Sequence, residues 1–169
     1  MFGWTTRGIA EVIGLMGIVG SLAFVGLEVR QNSIATRASS NASVADAFIE
    51  LNLLLASSPE LARAVVVSFE GPEKMSPEER ILVLGMWRAL FHVWSNGHRQ
   101  WSNETLDPVL YDSIVSEIST YGLSQDASVK DIDGRSRSMR WAWESERFIF
   151  NIEFQQFVDE LIGTVRGAN

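Results

Sequence analysis

A chain of 169 residues with 46% hydrophobic side chains is one domain's worth of sequence, and its formal charge of −7 excludes the basic footprint of a nucleic-acid binder. The absence of cysteine removes disulfide frameworks, thiolate metal sites and thiol nucleophiles from the candidate chemistries. The two lysines, Lys74 and Lys130, form no cluster for acidic lipid.

From Ile9 to Leu27 the sequence is apolar, and it is uncharged from Val12 onward. As a helix this run is roughly 28 Å long at about 1.5 Å per residue, close to the hydrocarbon thickness of a bilayer. Glu11 lies near the upstream end, where a charge costs much less than at the midplane. The run therefore predicts a single membrane-spanning helix, with residues 1–30 as anchor and residues 31–169 as a helical bundle domain. Two other readings compete. Arg7 and the Ser21-Leu22-Ala23 triplet supply the basic start and cleavage site of a signal peptide, although the apolar run continues past the cut. An apolar helix enclosed by a soluble bundle has the same composition.

At about 100° per residue, Ala10, Gly14, Gly17 and Ser21 share one face of this helix, and small residues let two membrane helices approach closely. A homodimer through Gly14, Gly17 and Ser21 is one reading, and the ordinary frequency of glycine in membrane helices is the other. Arg30 and Arg37 follow the span while Arg7 precedes it, an excess of one that favours the cytoplasmic side for the domain.

Neither proline nor glycine occurs between Leu27 and Ser58, which predicts one nearly unbroken helix from about Ile9 to Ala56, any break falling at Arg30 to Ser33. Ile34, Ala38, Asn41, Ala45, Phe48, Asn52 and Leu55 follow a 4-3-4-3 spacing, widened by Val44, Leu51 and Leu54 into a face that must pack on something. Asn41 and Asn52 are expected to set its register by hydrogen bonding.

Ser58-Pro59-Glu60 starts a short helix over residues 59–69, which Gly71-Pro72 closes. Ser76-Pro77-Glu78-Glu79 has the form of a capping box and opens the most aromatic helix, where Leu84, Trp87, Phe91, Trp94, His98 and Trp101 recur at helical spacing. Asp107-Pro108 caps a helix from Val109 to Tyr121 that stops at Gly122. The polar stretch from Ser124 to Asp133 reads as a mobile loop. Gly134 precedes a fifth helix containing Arg135, Arg140, Trp143 and Glu144, with Arg140 and Glu144 spaced to pair. Asn151 caps a last one carrying Phe154, Phe157, Val158 and Leu161. No period of two persists, so the expected fold is all-α: a long N-terminal helix, then a bundle of about five more.

Several local patterns occur together: Gly17-Ile18-Val19-Gly20-Ser21-Leu22 leading to Val29-Arg30-Gln31-Asn32, Ala35-Thr36-Arg37-Ala38, Pro59-Glu60-Leu61, Leu106-Asp107-Pro108, and Phe154-x-x-Phe157-Val158-Asp159-Glu160-Leu161. In these the chain resembles an uncharacterised bacterial family whose members begin with one membrane-type helix and continue as a helical domain. The resemblance implies an anchor and a fold. No activity, cofactor or catalytic residue comes with it.

The sequence carries few residues arranged for catalysis. His92 and His98 are six apart, roughly 240° round a helix, so one helix face cannot offer both to a metal. No nucleophile elbow, phosphate loop or dinucleotide fingerprint occurs, and neither metal nor cofactor is implied. What remains is Arg88, Trp94, His98 and Trp101, which with Asn96, Arg99 and Tyr111 have the composition of a small polar site among aromatic walls. The competing reading is a histidine at the core's rim, bonded to backbone, with arginines paired to neighbouring acids. Two functions follow as expectations. One is a membrane-anchored, non-enzymatic interaction or scaffold module, binding an unidentified protein or a second copy of itself. The other is a membrane-tethered binder or enzyme for an apolar small molecule or lipid, working through residues 77–101.

Overall fold

The computed structural model describes residues 6–122 and 134–163, so the stretch from Ser124 to Asp133 lies outside the described residues. It is all-α. Helix α1 runs Thr6–Ser57, α2 Pro59–Glu70, α3 Pro77–Ser102, α4 Pro108–Gly122, α5 Arg135–Glu146 and α6 Ile152–Gly163, with 3-10 turns at Pro72–Lys74 and Arg147–Ile149. The expected uninterrupted helix past Arg30 to Ser33 is present, because nothing in that stretch removes a backbone donor or supplies a stop.

The chain forms two compact units, Met1–Ser39 and Ser40–Asn169, and α1 contributes to both. In the first unit every described side chain from Glu11 to Ser39 is exposed, including Met16 and Leu22. The helix is long and apolar enough to cross a bilayer. A side chain added at Gly14 or Gly17 meets only open space, and the Ser21 hydroxyl donates to the Gly17 carbonyl at 2.8 Å.

The second unit holds the core. From α1 it takes Val44, fully buried, with Phe48, Leu51 and Leu55 half-buried. The packed stripe thus runs through 44, 48, 51 and 55, leaving Asn52 and Leu54 exposed. Asn52 bonds within its own helix, to the Phe48 carbonyl. Asn41 makes the expected longer-range bond, accepting from the Asp107 backbone N–H at 3.0 Å.

Local signals deliver the starts of α2, α3, α4 and α6. Ser58 accepts from the Leu61 N–H, the Ser76–Glu79 capping box is closed in both directions, Asp107 accepts from Val109, and Asn151 from Phe154. Gly134 stands at φ +71°, and a Cβ there would strike the Phe69 carbonyl, so the entry to α5 tolerates only glycine. Gly122 has a packing role beyond ending α4, since a Cβ would lie 2.7 Å from Ile162 Cγ1 of α6.

Phe91, on α3, is the aromatic centre. Trp143 meets it edge-on at 5.2 Å, and Trp87, Trp94 and Phe150 surround it. Beneath this cluster a polar chain crosses three helices. Trp87 Nε1–H donates to Ser138 Oγ at 2.9 Å, the two serine hydroxyls of Ser138 and Ser68 share a 2.6 Å bond, and Ser68 donates to the Val65 carbonyl. With Trp87 donating inward and Ser68 donating outward, Ser138 must give its proton to Ser68. Ser138→Ala therefore strands the buried indole N–H, and a loss of about 1–3 kcal/mol in denaturant unfolding is expected, whereas Ser113→Ala on the exposed side of α4 leaves stability unchanged.

Candidate functional site

The four residues singled out on α3 go to two places. Arg88 reaches α5, where its guanidinium binds both oxygens of Glu146 at 2.7 and 2.8 Å. The carboxylate is buried and the guanidinium half-exposed. This hydrogen bond, with the carboxylate's charge, raises the arginine pKa still further and keeps it cationic.

His98 faces α4 and α6 instead. Its Nδ1 lies 2.9 Å from the Tyr111 hydroxyl and its ring stacks on Phe157 with centroids 4.1 Å apart. Trp101 lies parallel to Tyr111 at 4.5 Å, so His98 and Trp101 do gather around Tyr111. The expected backbone bond is replaced by this side-chain one. Burial lowers the His98 pKa, with nearby Glu153 opposing, and burial pushes the Tyr111 hydroxyl up to about 12. Among the described residues His98 Nε2 has no hydrogen-bond partner, and Glu153 lies 3.9 Å from it. Arg88 and His98 are not brought together, and Arg99 turns to Asn96 on its own helix. The rings of Tyr111, Phe154 and Phe157 surround His98.

Trp94 is fully buried, and its Nε1–H donates to Glu117 of α4 at 2.8 Å. This carboxyl escaped the sequence reading, because an isolated glutamate in a helix of mixed polarity carries no pattern. Its surroundings make it the most distinctive acid of the bundle. Burial raises its pKa, and the Trp94 bond works against that rise. On the same helix Tyr121 packs edge-on to Trp87 at 5.7 Å. Its pKa is raised by burial and by Glu117, with Arg135 of α5 acting in the opposite sense.

Glu117, Tyr121 and Arg135 converge on a cleft of about 430 Å³, within the range of small-molecule sites. Its walls are apolar: Leu51 and Leu55 from α1, Val65 and Phe69 from α2, Met86 and Leu90 from α3. A broader, more open groove of about 800 Å³ runs along α4, and Phe48, Asn52, Glu117, Tyr121 and Arg135 line both. The polar trio thus stands at the junction of a mostly apolar cleft with an open groove.

The raised pKa of Glu117 has a thermodynamic consequence. The folded state holds its proton more tightly than the unfolded chain does, so this group's contribution is complete below the ordinary value of 4.5 and is lost as pH rises through its folded pKa. His98 acts oppositely, contributing above the ordinary 6.5 and losing that contribution as pH falls. The difference in stability between wild type and Glu117→Gln should isolate the first effect, growing in favour of the glutamine variant as pH rises above 4.5. A difference independent of pH would mean that Glu117 titrates as a solvated acid.

Among the described residues no group of three or more His, Asp or Glu is placed to hold a metal ion. No family model, curated protein or solved structure matches the chain.

Proposed function

We infer that this is a single-pass membrane protein whose apolar helix of residues 9–27 anchors a helical interaction module on the cytoplasmic side. The observation that carries the anchor is exposure. Side chains such as Ile13, Met16, Ile18 and Leu22 are each more than half accessible on a helix with no polar face, a surface that water disfavours and lipid accepts. The module reading draws on two features: an acidic balance, and the partners that two polar groups of α3 find on neighbouring helices, Arg88 with Glu146 and His98 with Tyr111. Its partner is an unidentified protein or a second copy packed through Gly14, Gly17 and Ser21.

Fractionation tests the anchor. The full chain should stay with membranes through an alkaline carbonate wash and retain its N-terminal residues by intact mass. A released chain beginning near Phe24 would mean a cleaved signal sequence instead. A second reading, a tethered binder of an apolar small molecule, draws its support from the cleft at Glu117.

A further inference from the structure

We propose that the cleft between the end of α1 and helices α2 to α5 binds a neutral amphiphile, an alkyl chain bearing a hydroxyl head, with the chain against Leu51 and Met86 and the hydroxyl between Glu117 and Arg135. This rests on the second functional reading and supplies its ligand class and its residues.

Size and polarity set the class. A cleft of about 430 Å³ lies toward the small end of small-molecule sites, a size for a medium alkyl chain and a small head. Apart from Asn52, the walls along the chain are apolar, and dispersion and dehydration are the main sources of affinity there. At the junction with the open groove the requirements change. Glu117 Oε2 already accepts from Trp94, while its other oxygen accepts no hydrogen bond among the described residues. Opposite in sign is Arg135, an exposed guanidinium lining the same cleft.

A head with a net charge meets one like charge here whichever sign it has. A carboxylate approaching Arg135 faces Glu117, and an ammonium approaching Glu117 faces Arg135. A hydroxyl satisfies both at once, since it donates to the Glu117 carboxylate and accepts from the guanidinium. Asp112 lines the open groove only and is exposed, where water screens it. Trp87 and Tyr121 close the floor beside the head, meeting edge-on.

Photolabelling of the full chain in its native membranes tests this with decanol, decanoate and decylamine, each carrying a diazirine at the far end of the chain. Labelling is read on the tryptic peptide Ile81–Arg88, which contains Met86 and Trp87. The expected result is decanol labelling that exceeds either charged probe by about tenfold, what one badly matched polar group costs. Ala62→Phe, which fills the cleft, should abolish it, and Glu117→Gln should raise decanoate labelling by removing the like charge. An intact circular-dichroism spectrum and melt for each variant separates occlusion from misfolding. Preference for decanoate or decylamine would overturn the head assignment and leave the binder reading standing. Equal labelling of wild type and Ala62→Phe by every probe would overturn both.

Discussion

A chain shortened to begin at Gln31 is expected to be soluble, helical and cooperative in melting. The reason is where the core lies. Among the described residues its first buried member is Val44, and Phe48, Leu51 and Leu55 join it further along α1, all of them beyond Gln31. The remaining chain of about 140 residues is long enough to bury a core of its own. Had the apolar stretch been an enclosed central helix, its loss would strip area worth about 25 cal/mol per Å² from the interior, more than a stability margin of about 5–15 kcal/mol absorbs. An aggregated product, with the full-length chain found in the soluble fraction, would sink the anchor. Circular dichroism and sedimentation of the shortened chain decide it.

Trp94→Ala should be the most damaging single truncation in the bundle, lowering stability by about 3–5 kcal/mol in denaturant unfolding. Two losses combine. The indole is completely buried and packs against Phe91 and Tyr121, so its removal leaves a cavity that helices fixed on several sides cannot close. The Nε1–H also leaves Glu117, whose half-buried carboxylate then has no donor among the described residues, and the proton affinity that burial raises is no longer moderated. Trp94→Phe separates the two, restoring most of the volume while sparing none of the hydrogen bond. By contrast Trp101→Ala, at a residue 38% exposed and stacked on Tyr111 at the surface, should cost much less. Equal losses at the two tryptophans would mean that the stacked pair, and not the Phe91 cluster, carries the bundle.

Helix identity was legible because it is written in neighbouring residues. Ser58-Pro59, the Ser76–Glu79 box, Asp107-Pro108 and Asn151 act within a single turn, and each makes the cap that its spacing implies. The aromatic row of α3 likewise announced a buried centre, since large rings at helical spacing have nowhere else to go. What periodicity could not say is which neighbour each polar tip would find. Arg88 and His98 look like partners on one helix, yet Glu146 arrives from α5 for the first and Tyr111 from α4 for the second. Arg140, spaced for Glu144, reaches the carbonyl ends of α4 and α6 at Gly122 and Ile162. Glu117 carries no sequence signal at all. Its raised pKa, its bond to Trp94 and its place beside the cleft arise from helices brought together across 23 residues or more. The sequence by itself determined an apolar helix of bilayer length, the all-α class and most helix ends, because each depends on composition or on contacts within a few residues. Only tertiary structure decided the partners of Arg88, His98 and Glu117 and the existence of the cleft, because side-chain partnership across helices is set by packing angle and register, which no local spacing encodes.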